Sequence, residues 1–198
     1  MSMEQTHDWC RYEAVVIGVS AGGLAALDRI LPALHSDFCL PILIVQHIGA
    51  DSDSYLPTQF DVRCSMKVKE AEDKEPIQRG RIYFAPPNYH IMVEPDRCIA
   101  LSIDEKVNYS RPSIDVLFET AAITYRQKLI GVVLTGANHD GARGLARIKQ
   151  YGGLTIVQDP DSAEVDTMPR AALEATEVDK VLPLHDIASL LNKLCAKR

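Results

Sequence analysis

No apolar run in the chain comes near the roughly 20 residues that a membrane-spanning helix requires, so direct membrane insertion is not expected. The start, "MSMEQTHDWCRYE", has no basic stretch followed by an apolar core and does not read as a secretory signal. Aromatic residues are only 6% of the sequence, too few to suggest a stacking surface. Basic residues are also in deficit: 21 Lys and Arg against 27 Asp and Glu give a net charge of -6, which disfavours nucleic acid as a partner. The five cysteines (Cys10, Cys39, Cys64, Cys98, Cys195) are scattered, with no CxxC pair. That pattern fits neither a metal site nor a disulfide framework, and reduced thiols in a cytoplasmic protein are the expectation. Linkers, repeats and low-complexity tracts are missing too. A single domain over residues 14–198, preceded by a disordered lead-in over 1–13, is therefore expected of the 198 residues.

What is present is an alternation of short β-branched runs with helical patterns. Val15–Val19, Pro41–Gln46, Ile82–Ala85, Ile91–Glu94, Ile99–Ile103, Leu129–Thr135 and Thr155–Gln158 read as strands. Leu24, Leu27 and Leu31 mark one face of a helix that Pro32 ends or kinks. Ser113 reads as an N-cap, with Ile114, Leu117, Phe118, Ala121 and Tyr125 recurring at helical spacing behind it. Further helices are expected around Leu145 and Ile148, around Leu173, and from Ile187 to Leu194. Wholly apolar strands such as "GVVLT" suit a parallel sheet covered on both faces. The expected fold is α/β, a three-layer α/β/α sandwich around a doubly wound, mainly parallel sheet of about seven strands. Residues 81–103, with three strands and no helix between them, are expected to form an antiparallel excursion at one sheet edge.

In such sheets ligands sit beyond the carboxyl ends of the strands. Three expected strand ends carry distinctive chemistry: Ser20 after the first, His47 after the second, and Asp140 in "TGANHDG" after the sixth. A hydroxyl, an imidazole and a carboxylate are the parts of a nucleophilic triad. Each is weak alone. Chance yields the G-x-S-x-G of residues 18–22 in on the order of one 200-residue chain in fifteen. His47 alone reads as a partly buried histidine, and Asp140 alone as an N-cap of the helix behind it. His139 is a rival base, whereas His90 and His185 have no convergent partners in the pattern. A dinucleotide loop fits poorly, because Ser20 stands where G-x-G-x-x-G needs glycine. The order Ser, His, Asp also differs from that of the α/β-hydrolases, where the acid precedes the histidine.

Six segments, in order, carry a resemblance: "VVIGVSAGGLAAL", "PILIVQHI", "IYFAPPNYHIMV", "RPSIDVLFETAA", "GVVLTGANHDGARGL" and "GGLTIVQDPDSAEVDTMPRAAL". Together they resemble the catalytic domain of the chemotaxis protein-glutamate methylesterases, the CheB family. The resemblance implies the same three-layer fold and places the family's catalytic residues on Ser20, His47 and Asp140. It implies hydrolysis of γ-methyl esters on receptor glutamates and, in some members, deamidation of receptor glutamines, with no cofactor. By analogy the backbone N–H groups of Ala21 and Ala137 hold the oxyanion. Arg111, Arg143, Arg170 and Met168, in or beside the matched segments, are candidate contacts to the partner, the cytoplasmic helices of a methylated chemoreceptor. Departures are Ala21 and Ala137 themselves, where many members have threonine and methionine, and the stretch "IGADSDSYLPTQFDVRCS", which lacks the family's basic character. Only about a dozen residues precede the first strand, so the receiver domain that many members carry is not expected within this sequence, and either a fragment or a stand-alone esterase is the expectation. A non-catalytic binding module of the same fold is the competing expectation, against which the complete Ser/His/Asp set weighs.

Overall fold

A computed structural model describes residues 10–47 and 56–195. Nine strands are described. β1 (Ala14–Val19), β2 (Ile42–Gln46), β3 (Lys67–Glu70), β4 (Arg81–Phe84), β7 (Leu129–Val133), β8 (Leu154–Gln158) and β9 (Lys180–Leu182) form one sheet in the order β3-β4-β2-β1-β7-β8-β9, parallel throughout. β5 (His90–Val93) and β6 (Ile99–Ser102) pair antiparallel as a separate hairpin. Six helices are described: α1 (Gly23–Ile30), α2 (Leu56–Asp61), α3 (Ile114–Tyr125), α4 (Ala142–Gln150), α5 (Thr167–Ala175) and α6 (Leu184–Cys195). Pro32 sits in a single 3-10 turn, Leu31–Ala33, that closes α1. None of the described helices is long and apolar enough to cross a membrane.

Alternation along the strands sorts side chains into two cores. Val15, Ile17 and Val19 of β1 pack with Leu27 and Ile30 of α1 and with Ile187 and Leu191 of α6. Ala14 and Val16, on the opposite face, pack with Ile114, Leu117 and Phe118 of α3, Leu145 and Ile148 of α4, and Ala172 of α5. Helices therefore cover both faces of the sheet, as its all-apolar central strands require.

Three details differ from the sequence reading. Arg81–Phe84 is not part of an antiparallel excursion: β4 joins the main sheet, with Ile42 opposite Ile82 in parallel register. Only the hairpin that follows leaves the sheet, and it packs on α3, where Val93 N–H donates to Thr120 Oγ1 at 3.1 Å. The two edge strands, β3 and β9, were not expected. Their "KVKE" and "KVL" expose lysine to solvent and carry little of the apolar run that marks a buried strand. Finally, residues 1–9 of the expected lead-in lie outside the described residues, but 10–13 are packed. Cys10 and Tyr12 belong to the first core, and Glu13 accepts from Arg97 and Lys128.

Helices α3 and α4 cross closely at Gly144. A Cβ there would lie 2.5 Å from Phe118 Cβ and 3.2 Å from the Asp115 backbone, which cannot move aside as a flexible side chain could. Overpacking of this kind costs about 1–3 kcal/mol and outweighs the better helix propensity of alanine. Gly144→Ala is expected to lower the urea midpoint with little change in slope; a midpoint at or above wild type would contradict this packing.

Candidate active site

Strand order places the site. β1 leads to β2 on one side, whereas β7 returns to the other side of β1, so the order reverses at the carboxyl ends of β1 and β7. The parallel registers extend one rung past the strands. Ser20 N–H donates to Thr135 O at 3.0 Å, and His47 N–H donates to Val19 O at 3.0 Å. Ser20 and His47 thus follow residues paired across neighbouring strands, Val19 and Gln46. Both continue the alternation of Val16 and Val45, which puts their side chains toward the α3 face. Gln46 points to the other face and ties the two together, donating from Nε2 to Ser20 O at 3.0 Å and to His47 O at 2.9 Å.

Asp140 is the hub. It is 1% exposed, yet its carboxylate accepts five hydrogen bonds. Oδ2 takes His47 Nε2–H at 2.9 Å and Ile114 N–H at 2.6 Å. Oδ1 takes Asn108 Nδ2 at 2.9 Å, Ser113 Oγ at 2.9 Å and Asp115 N–H at 3.1 Å. Asp140 therefore does not cap its own helix, α4, as the sequence suggested; it caps α3. Ser113, at the N-cap position of α3, makes no capping bond itself and gives its hydroxyl to Asp140 instead. The exchange is reciprocal. Asp115, in the first turn of α3, accepts Gly141 N–H at 3.0 Å and Gly144 N–H at 2.7 Å from the start of α4. Asn108 bridges the two acids, donating also to Asp115 Oδ2 at 2.9 Å.

These surroundings push the two carboxyls in opposite directions. Burial raises both. At Asp140 it is outweighed by the bonds from His47, Asn108, Ile114 and Asp115, and the group is held below its ordinary value of 3.8. At Asp115 burial dominates, the bond from Gly144 opposes it, and the neighbouring Asp140 charge adds to the rise. Asp140 is thus the anion of the pair. An anionic acceptor fixes the imidazole: Nε2 must carry a proton, and in the neutral ring Nδ1 then presents the lone pair.

The other expected residues are distributed around this hub. Met168 is 1% exposed and donates its N–H to Gly136 O at 3.0 Å; it packs beneath the centre and is not open to a large partner. A Cβ at Gly136 would overlap the Met168 thioether and lie 2.9 Å from Ser20 Cβ, so only glycine lets these loops meet. Among the described residues no hydrogen bond engages the N–H of Ala21 or of Ala137. Arg111 donates to the carbonyls of Ile103 and Asp104 and so secures its own loop. Arg143 and Arg170 are exposed and paired, with Glu119 and with Asp166 respectively, each at 2.6 Å. His139 is exposed. His90, given no role from sequence, is buried and accepts Ser113 N–H at 3.2 Å, supporting the start of α3 from behind. Asn108, Asp115 and Asn138 were missed. Residues 48–55, the start of the stretch that departs from the family pattern, lie outside the described residues.

Because the Asp140 value is lowered on folding, its stabilisation is complete above about pH 4 and fades as pH falls through the lowered value. Asp140→Asn is expected to lose roughly 1–3 kcal/mol of stability at pH 7, read by urea unfolding, with the gap to wild type narrowing below pH 3.8. A gap that stays constant from pH 7 to 3.5 would contradict an ionised Asp140.

Comparison with known proteins agrees with this architecture. The family model described as CheB methylesterase matches residues 15–191. A Leptospira interrogans protein, named for protein-glutamate methylesterase and protein-glutamine glutaminase activities, is 58% identical over 183 residues, covering 92% of this chain and 95% of its own. The Thermotoga maritima protein-glutamate methylesterase/protein-glutamine glutaminase is 37% identical over 183 residues, and the chain spans only 53% of its length. The crystal structure of the Thermotoga maritima CheB methylesterase catalytic domain superposes with a TM-score of 0.88 at 36% identity, covering 92% of this chain and 98% of that one. With nearly all of its sheet and helices inside the matched span, the chain belongs to the CheB methylesterase family.

Proposed function

We propose that the protein is a serine hydrolase that removes the methyl group from γ-glutamyl methyl esters on the cytoplasmic helices of a chemoreceptor. The observation that carries this reading is the 2.9 Å bond from His47 Nε2–H to a buried, ionised Asp140, at the strand end beside Ser20. His47 Nδ1 takes the Ser20 proton as Oγ attacks the ester carbonyl, and Asp140 steadies the imidazolium that forms. The oxyanion is held by the N–H groups of Ala21 and Ala137, close to the N-terminus of α1. Collapse of this intermediate breaks the C–O bond, and His47 returns the proton to the departing methanol. Water, deprotonated by His47, then hydrolyses the acyl-serine and leaves glutamate. The same centre acting on a glutamine side chain would release ammonia. The twofold naming of the relatives supports both reactions, and the family membership supports a place in the cytoplasm.

Arg143 and Arg170, exposed at the starts of α4 and α5, are the positive groups offered to an acidic receptor bundle. The domain carrying the reaction is taken as residues 14–198, with the packed segment 10–13 as its edge.

Ser20→Ala and His47→Ala are each expected to slow methanol release from methylated receptor by on the order of 10³-fold or more. Wild-type rates in both variants would overturn the assignment. A non-catalytic module of this fold would leave Ser20 unlabelled by a fluorophosphonate, whereas a hydrolase is expected to label at Ser20 and to lose the labelling in His47→Ala.

A further inference from the structure

The nitrogen that must act as base is already engaged. Asn138 Nδ2 lies 3.3 Å from His47 Nδ1. The direction of this contact follows from the other end of the carboxamide, since Asn138 Oδ1 accepts Asp140 N–H at 3.0 Å. That bond turns the NH₂ group toward the ring. His47 Nε2–H is committed to Asp140, so Nδ1 has a lone pair to accept what Asn138 donates. Among the described residues, no hydrogen bond joins Ser20 Oγ to His47. The carboxamide occupies the position on the base that the serine proton needs.

Building on the hydrolase reading, we propose that Asn138 is a positioning residue that latches the resting centre: its side-chain NH₂ caps the Nδ1 lone pair of His47 and is displaced when substrate engages. A donor on Nδ1 favours the Nε2–H tautomer, which is the form the attack requires. The same donor opposes proton transfer, because a protonated Nδ1 would set N–H against N–H. At 3.3 Å the bond is long and exchanges readily. The displacement has a local cause. Asn138 directly follows Ala137, whose N–H is offered to the ester oxygen, so a substrate drawn onto Ala137 presses on the segment that carries the latch. An ester in place then releases His47 fully, whereas Ser20 is activated only in part toward other electrophiles, by the small fraction of time the 3.3 Å contact is open.

The proposal sets up a competition that a small reagent can report. In the full chain, the second-order rate of Ser20 labelling by a fluorophosphonate is compared for wild type, Asn138→Ser, Asn138→Ala and each of these combined with His47→Ala. Serine at 138 can still accept Asp140 N–H across the turn but is too short to reach the ring. Labelling is expected to rise about two- to ten-fold in Asn138→Ser and Asn138→Ala, the range one neutral hydrogen bond spans, with no rise in the His47→Ala background. If Asn138 only shaped the turn, Asn138→Ser would label at the wild-type rate and Asn138→Ala more slowly; that pattern, or a fall in both, overturns the latch. Labelling of Ser20 that does not depend on His47 overturns the hydrolase reading and the latch with it. His47-dependent labelling without acceleration overturns the latch alone.

Discussion

A carboxylate set at the N-terminus of a helix it does not belong to is the interaction on which the rest of the site depends. Asp140 leaves the β7–α4 connection and satisfies the first two N–H groups of α3, those of Ile114 and Asp115, which would otherwise be buried without partners. Asp115 returns the favour to α4 through Gly141 and Gly144. The two helices are therefore locked at their starting ends by crossed caps, and Asn108 fastens the two acids to each other. Burying an anion is costly, and here four donors (Ile114 N–H, Asp115 N–H, Asn108 and Ser113) and a helix dipole offset the cost. One acceptor position on that anion remains for an imidazole, and His47 fills it.

This arrangement makes the fold and the chemistry a single problem. The same charge that stabilises the start of α3 decides which ring nitrogen of His47 carries a proton, and hence which nitrogen of the neutral ring keeps its lone pair. The strand registers do the remaining positioning. Ser20 and His47 sit one rung beyond β1 and β2, and their separation follows from the fixed spacing of neighbouring strands, not from loops free to drift. Gly136 and Met168 close the centre from the β7 side, where no side chain on residue 136 could be fitted. Rigid elements thus hold all three groups.

Much of this was legible in the residues because strand ends are easy to find. Ser20, His47 and Asp140 each follow an apolar run, and a parallel sheet brings such ends to one rim. The supporting residues were not legible for a different reason. Asn108 and Asp115 act through partners 7 to 32 positions away, and Asn138, besides its turn bond to Asp140, reaches His47 91 positions away; the local pattern marks none of these contacts. Asp115 reads from sequence as an ordinary acid in the first turn of a helix; only the structure has it serving another helix. Ser113 was recognisable at the start of α3, but its hydroxyl's true partner was hidden by the same long-range fold. The edge strands β3 and β9 escaped because charge on an exposed edge erases the apolar pattern. His90 escaped because a buried, bonded histidine and an idle one look alike in a strand.

The account stands on the claim that ionised Asp140 holds the proton of neutral His47 on Nε2 and leaves Nδ1 as the base. Nitrogen-15 NMR of the imidazole, recorded on the free protein with the ring neutral, addresses that directly. The predicted spectrum has a protonated, hydrogen-bonded Nε2 and an unprotonated Nδ1 for His47. A neutral ring carrying its proton on Nδ1 would contradict the account.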